Sequence, residues 1–224
     1  MKYFSFLILL ISNLTLSAQE WNLSGAYQYI YSPEWDKAIQ RYNFSRPFLD
    51  EVQPLLVHGT FLETSYFFKN EKRIQSGIKI DYGFTRSSAE NPELDIAFHL
   101  HQIGLGYAFR YSFQKKPKNI VLEGDITIFS TILSKRINQE IEMIDEEAKR
   151  ALGIGGSLGF KLLYLIKTEH KIKISPFAGI SYSPYLSSSE SESILDPTIS
   201  VNGTGDIHLL SCQLGIRISF KNSN

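Results

Sequence analysis

The sequence predicts an all-β fold, namely an eight-stranded antiparallel up-and-down transmembrane β-barrel. Eight segments alternate large apolar residues with polar or small ones at a period of two, which is the periodicity of a strand with two different faces. The connections between these segments alternate between short and long, as they do in up-and-down barrels. Beyond the first 19 residues, no apolar run approaches the length of about 20 residues that a membrane-spanning helix needs.

The N-terminal segment, Met1–Gln19, is predicted to be a secretory signal peptide. Lys2 supplies a positive start, an apolar stretch follows, and Leu16-Ser17-Ala18 offers small residues for cleavage. The alternative, a transmembrane anchor, is disfavoured because the apolar stretch is short and is interrupted by Ser12-Asn13. Residues 20–224 then form the barrel domain, which we expect outside the cytoplasm.

The third predicted strand shows the alternation most clearly, because Ile78, Ile80 and Tyr82 flank Lys79 and Asp81. Several of the eight segments exceed the five or six residues that are usual in soluble sheets. Strands of about ten residues with this alternation are typical of a tilted membrane-spanning barrel. The predicted strands are Trp21–Tyr31, Val57–Phe68, Arg73–Thr85, Ile96–Phe113, Ile120–Leu133, Leu152–Ile166, Ile172–Tyr182 and Ile207–Phe220.

The alternative fold is a soluble sandwich or lipocalin-like barrel, which has its apolar face inside and its polar face in water. Three features favour the inverted arrangement. The polar faces are rich in Gly, Ala and Ser, which suits a narrow and crowded lumen. The apolar faces end in aromatic residues, as strands do where they cross a lipid interface. The third feature is the alternation of connection lengths.

Short connections follow the second, fourth and sixth predicted strands. Long connections follow the first, third, fifth and seventh strands, and these are predicted to be four external loops. Because short turns face the periplasm in barrels of this kind, both termini are predicted to be periplasmic. The short connections are Lys69–Lys72, Lys115–Lys118 and Lys167–His170, and the loops are Ser32–Leu56, Arg86–Asp95, Ser134–Ala151 and Ser183–Asp206.

In this architecture the chain resembles the small eight-stranded outer-membrane barrels of the OmpA and OmpX type. The resemblance covers essentially the whole mature chain, without the C-terminal peptidoglycan-binding domain of OmpA. Leu210–Phe220 resembles the C-terminal signal read by the barrel-assembly machinery, although Lys221–Asn224 extend past its final aromatic residue. The resemblance implies a location in the outer membrane of a Gram-negative envelope, in contact with membrane lipid and lipopolysaccharide.

Closing eight strands leaves an interior that side chains nearly fill. The predicted inward faces carry four acidic and four basic residues, and buried charges are stable only when they are paired and hydrogen-bonded. We therefore expect a closed network of ion pairs across the lumen, the alternative being a narrow or gated water-filled path. The eight residues are Glu63, Lys79, Asp81, Arg110, Glu123, Asp125, Lys161 and Arg217.

The first long loop is unusually apolar for an external connection. We expect it to fold over the mouth of the barrel as a lid. The alternative is an apolar surface for a partner or ligand. The lid residues are Trp35, Tyr42, Phe44 and Phe48.

Four histidines fall on the outward faces, near the outer rim of the expected hydrocarbon band: His58, His99, His101 and His208. We interpret them as an interfacial ring of amphipathic side chains that contact lipid phosphates when protonated. The turn between the fourth and fifth strands sets a register that places His99 opposite Ser134. His99 and Ser134 are therefore a candidate base and nucleophile for lipid A deacylation. However, the His-x-Ser-Asn pattern associated with the lipid A deacylases is missing, and no outward carboxylate is expected beside His99.

Composition narrows the classes of function further. Lys and Arg number 23, as do Asp and Glu, so no basic field attracts nucleic acid. One cysteine rules out a disulfide scaffold and a thiolate metal cluster. We expect no metal and no cofactor.

The predicted function is a non-enzymatic outer-membrane barrel that presents external loops, with envelope proteins as candidate partners. The alternatives are a gated channel for small amphipathic solutes and a lipid A-modifying hydrolase.

Overall fold

In a computed structural model of the chain, eight antiparallel strands close into one up-and-down barrel, which confirms the predicted fold class. The structure describes residues 18–45, 51–68, 74–89, 94–113, 119–139, 150–166, 172–187 and 205–221. The strands are β1 (Ala18–Tyr31), β2 (His58–Phe68), β3 (Ile74–Ala89), β4 (Leu94–Ser112), β5 (Ile120–Gln139), β6 (Arg150–Tyr164), β7 (Ile172–Ser187) and β8 (Gly205–Lys221).

Each strand pairs with its neighbour in the sequence, and β1 also pairs with β8. The closing register aligns Glu20 with Lys221, so the chain enters and leaves the barrel at the end where connections 69–73, 114–118 and 167–171 lie. Closure pairs every strand on both sides and leaves no sheet edge exposed. Most of the predicted signal peptide, residues 1–17, lies outside the described residues, and β1 begins at Ala18.

At the opposite end several strands run farther than predicted. β3 and β4 stay paired as far as Ala89 and Ile96, so the predicted Arg86–Asp95 loop is mostly strand, and residues 90–93 make the connection. β5 continues to Gln139, opposite Leu94. Continued pairing satisfies the backbone hydrogen bonds of these segments. The other connections at this end cover residues 32–57, 140–149 and 188–204.

The outer wall of the barrel is apolar. Outward-facing Ile80, Leu105 and Ile128 are 54%, 64% and 71% exposed. Inward-facing Glu123 and Arg217 are both 0% exposed. Large apolar side chains on the outside and charges on the inside suit a hydrocarbon surrounding and not water. This is the inversion that the alternation in the sequence predicts.

Helix α1 (Pro33–Phe44) follows β1 directly. Ser32 is its N-cap, and the Ser32 side chain accepts a hydrogen bond from the Trp35 amide at 3.5 Å. Pro33 occupies the first turn, where its missing N–H costs nothing, and Glu34 lies in the same turn near the positive end of the helix dipole. No helix in the described part of the chain is long and apolar enough to cross a bilayer.

Candidate functional site

The structure brings the eight predicted lumen charges into one connected network. At its centre, Arg217 on β8 donates to Glu123 on β5 through two bonds, from Nη1 to Oε2 at 2.6 Å and from Nη2 to Oε1 at 2.8 Å. Its Nη2 also donates to Oε1 of Glu63 on β2 at 2.7 Å. Solvent reaches none of the three side chains. One guanidinium therefore ties three strands together across the lumen.

Glu63 joins this centre to a second group of charges. Lys161 donates a hydrogen bond to Glu63 and lies 4.0 Å from Asp125. Lys79 lies 3.7 Å from the Glu63 carboxylate. Lys79 also forms ion pairs with Asp125 at 2.6 Å and with Asp81 at 2.9 Å. Each buried ammonium thus has at least two carboxylates within reach, which is the arrangement that offsets the cost of taking charges out of water.

Arg110 extends the network toward the end of the barrel where the chain begins. It lies 3.3 Å from Glu123 and 2.6 Å from Glu20, and its guanidinium stacks on the ring of Phe67 at 4.0 Å. Sequence reasoning missed Glu20, because it borders the predicted signal peptide. Glu20 lies two residues before the inward-facing Asn22 and therefore on the same face of the strand, which would have indicated that Glu20 faces the lumen.

Glycines on the inward face make room for these charges. A Cβ atom at Gly159 would lie 2.6 Å from Asp125 Oδ2, and one at Gly104 would collide with Asp81. This close approach gives a physical reason for the small residues on the polar faces.

A small cavity of about 20 Å³ lies just beyond the charge network. Its lining includes Gln28, Gln102 and Gln213 together with Lys79 and Asp125. This volume holds about one water molecule. The buried Oε1 atom of Gln28 accepts no hydrogen bond from the residues that the structure describes, so a water molecule would have an acceptor to bind there.

Toward the end of the barrel opposite the termini, which we call the outer end, the lumen becomes apolar, and this was not predicted from the sequence. Trp35, Ile39 and Tyr42 of α1 are buried there. They pack against inward-facing side chains that we call the mouth cluster. The mouth cluster consists of Ile30, Leu56, Ile96, Phe98, Leu100, Phe129, Leu133, Ala151, Tyr185, Ile207 and Leu209.

Polar contacts hold α1 in this position. Trp35 Nε1 donates to the hydroxyl oxygen of Tyr185 at 2.7 Å. The backbone amide of His208 donates to Glu34 Oε2 at 3.3 Å. After the helix, the Gln53 side chain donates to Ser87 Oγ on β3 at 2.7 Å. Partial burial raises the pKa of Asp36 above its ordinary value, and the nearby Glu34 carboxylate raises it further.

The predicted lid residues do not all share this environment. Trp35 and Tyr42 are 3% and 0% exposed, and the Tyr42 ring meets Phe98 edge-on at 5.3 Å. Phe44 is 89% exposed, so its expected packing over the mouth is wrong. It lies two residues beyond Tyr42 and therefore about 200° around the helix, on the opposite face. Phe48 lies outside the described residues.

The outward histidines lie beside aromatic residues of neighbouring strands. Hydrogen bonds join Tyr82 to His101 and Tyr182 to His208, both between the hydroxyl and Nδ1 at 2.7 Å. Tyr27 and His58 form the same type of pair. The fourth, His99, lies opposite Ser134, in the register predicted from the turn. Among the described residues, no three His, Cys, Asp or Glu side chains are grouped in a way that could hold a metal ion.

No known family model and no curated protein matches the chain in sequence. Solved structures match it in shape. One is Ail, the attachment invasion locus protein of Yersinia pestis, in complex with the heparin analogue sucrose octasulfate. It is 15% identical, the match covers 91% of this chain and 99% of Ail, and the TM-score is 0.49. Neisserial surface protein A is 10% identical, with coverage of 91% and 96% and a TM-score of 0.47.

OprG, an outer membrane protein of Pseudomonas aeruginosa, is 10% identical, with coverage of 92% and 98% and a TM-score of 0.38. These neighbours are small outer-membrane barrels, like the family that the sequence resembles. At such low identity the likeness concerns the fold alone.

Proposed function

We propose that the protein is an outer-membrane β-barrel of the structural and interaction type, which presents α1 and its outer connections at the cell surface. In this orientation both termini and the short connections face the periplasm. The exposed apolar wall supports placement in a bilayer. Zero net charge and the absence of a basic field argue against nucleic acid as a partner.

The observation that carries this proposal is that the lumen is filled at two levels. The ion-pair network around Arg217 and Glu63 fills the inner part, and α1 with the mouth cluster fills the outer part. Between them, the cavity of about 20 Å³ has room for about one water molecule. A barrel that is filled in this way is a rigid scaffold that presents α1 and the outer connections at one end.

Reconstitution tests this function directly. Purified mature protein in planar bilayers should insert and conduct no ions over a range of voltages. Stable conductance from the wild type would contradict the proposal, and so would a protein that stays soluble and monomeric without detergent. Affinity capture from gently solubilised outer membranes should then recover a specific envelope protein. The matched comparison for capture is the Phe44→Ala variant. It removes an exposed aromatic group from the outer surface of α1 and so tests whether this surface binds the envelope protein.

A gated path for small amphipathic solutes is the second candidate, and the apolar outer lumen favours it. Trp35, Ile39 and Tyr42 fill a space that an apolar solute would fill if α1 moved aside. Liposomes that contain the wild type or the Trp35→Ala variant should separate the two functions. Faster uptake of an amphipathic dye by the variant supports a gated path, and uptake equal to that of empty liposomes for both proteins excludes it.

A further inference from the structure

A row of polar residues crosses the outer face of three neighbouring strands, and its register continues to a fourth strand. The register aligns Arg86 on β3 with His99 on β4, His99 with Ser134 on β5, and Ser134 with Arg150 on β6. Residues directly opposite each other in a sheet have Cβ atoms about 5 Å apart, so the row is continuous. The backbone positions of Arg86 and Arg150 lie about 14 Å apart across the strands. The Arg150 side chain lies outside the described residues.

The row directly below this one is mainly apolar. It consists of Phe84, His101, Ile132 and Leu152, again aligned in register. Arg86 lies 12 residues from Ile74, which begins the exposed apolar positions at the other end of β3. A strand tilted by about 40° climbs about 30 Å over that length. The polar row therefore lies at the outer boundary of the apolar band, at the level of lipid headgroups.

Aromatic contacts orient the two histidines. The ring of Phe84 lies 5.8 Å from His99 and 5.0 Å from His101, between ring centres. The Tyr82 hydroxyl bonds Nδ1 of His101 at 2.7 Å. When Tyr82 is the donor, the neutral imidazole carries its hydrogen on Nε2, which can then donate to another group. Arg86 is exposed and forms no ion pair with any residue whose side chain the structure describes.

We propose that Arg86, His99 and His101 form a binding site for the phosphate groups of a lipid in the outer leaflet. A guanidinium binds phosphate through two parallel hydrogen bonds. The imidazoles and the Ser134 hydroxyl supply further donors on the same level, while the apolar row below contacts the acyl chains. The site gives His99 and Ser134 a binding role, and it rests on the proposed placement of the barrel in the outer membrane.

A second Tyr–His pair shows that the pair alone is not the site. On β7 and β8, Tyr182 and His208 form the same 2.7 Å hydrogen bond with stacked rings. The next outward position on β8 is the exposed Asp206, and Glu34 accepts a bond from the His208 amide. These carboxylates repel phosphate. The barrel therefore contains a matched control, with similar aromatic geometry and opposite charge.

The test measures lipid retention by native mass spectrometry. Wild-type protein is reconstituted in phosphatidylcholine nanodiscs that contain lipid A, or the same lipid A with its phosphates removed. The wild type should retain the phosphorylated lipid about tenfold better than the dephosphorylated one, since charge-assisted hydrogen bonds to phosphate are strong. Arg86→Gln combined with His99→Gln should abolish this preference, and Arg86→Lys should keep part of it. His208→Gln should leave it unchanged.

Three outcomes would overturn the site: equal retention of lipid A by the double variant and the wild type, equal retention of both lipids by the wild type, or loss of the preference in His208→Gln. If millimolar inorganic phosphate released the lipid, the site would be one for free phosphate, and the proposal that its ligand is a lipid would be wrong. Heat-modifiable migration in gels checks that every variant is folded. If the wild type does not insert into bilayers, the proposed function fails; if it inserts without preferring phosphate, only this site fails.

Discussion

Arg217 and Glu123 form a two-bond ion pair inside the barrel, at 2.6 and 2.8 Å, between strands that are not neighbours in the sheet. Such a pair joins opposite walls, whereas the backbone hydrogen bonds join only adjacent strands. Glu63 accepts a further bond from the same guanidinium. The network therefore adds side-chain links to the barrel in a direction where the sheet has none.

Replacing Arg217 with Met should lower the free energy of unfolding by about 3–5 kcal/mol, because it leaves the buried Glu123 and Glu63 without their shared partner. The measurement is urea unfolding of the barrel in lipid vesicles. Arg217→Met combined with Glu123→Leu should lose less than the single variant, because the second change removes a buried carboxylate that keeps only Arg110 as a partner. Lys37→Met, at an exposed position of α1, serves as control and should change stability by less than about 0.5 kcal/mol. Equal losses in the single and double variants would show that charge pairing does not determine the effect.

Gly159→Ala should destabilise the barrel by about 1–3 kcal/mol, because the added methyl group would lie 2.6 Å from Asp125 Oδ2 in a filled lumen. Gly156→Ala on the same strand is the control, since its nearest neighbour would be the Thr127 carbonyl oxygen at 3.8 Å. Urea midpoints of the two variants make the comparison. If Gly156→Ala lost as much stability as Gly159→Ala, intrinsic strand preference and not lumen space would be responsible.

Much of the barrel could be predicted from the sequence because side chains in a strand alternate strictly between two faces. Once Ile78 and Ile80 are placed outside, Lys79 and Asp81 must face the lumen, where they do lie. The short connection predicted between β4 and β5 likewise led to the alignment of His99 with Ser134, which the structure shows. Local geometry determined both results, so the sequence alone sufficed.

The outer end could not be predicted in the same way. Phe98 and Leu100 face inward there, while His99 and His101 face outward. The rule that apolar residues face outward therefore fails at this level. It fails because α1 enters the lumen and provides an apolar surface, a tertiary contact that the period of a strand does not contain. Ser32 followed by Pro33 is a sequence signal for the start of a helix. The apolar positions in this segment were nevertheless interpreted only as a lid.

Trp35→Ala should loosen α1 without opening the barrel. The variant loses buried contacts in the mouth cluster and the bond to Tyr185, which together correspond to about 3–5 kcal/mol. Hydrogen exchange of amides in residues 33–44 should accelerate relative to the wild type. Planar bilayers should still conduct no ions, because the pair of Arg217 and Glu123 remains below. Phe44→Ala, at an 89% exposed position, should leave exchange unchanged. A conducting Trp35→Ala variant would favour the gated path.

The two tryptophans of the chain allow the membrane placement to be tested without labels. Trp21 is 45% exposed on the outer wall, against Tyr66, whereas Trp35 is 3% exposed inside the mouth. The Trp35→Phe variant reports on Trp21, and the Trp21→Phe variant reports on Trp35. In vesicles of brominated phosphatidylcholine, the Trp35→Phe variant should lose several-fold more fluorescence than the Trp21→Phe variant. Bromine quenches only rings that it contacts, and interfacial aromatic residues contact lipid. Unbrominated vesicles provide the control for each variant. Stronger quenching of Trp35 than of Trp21 would mean that the apolar wall does not face the acyl chains.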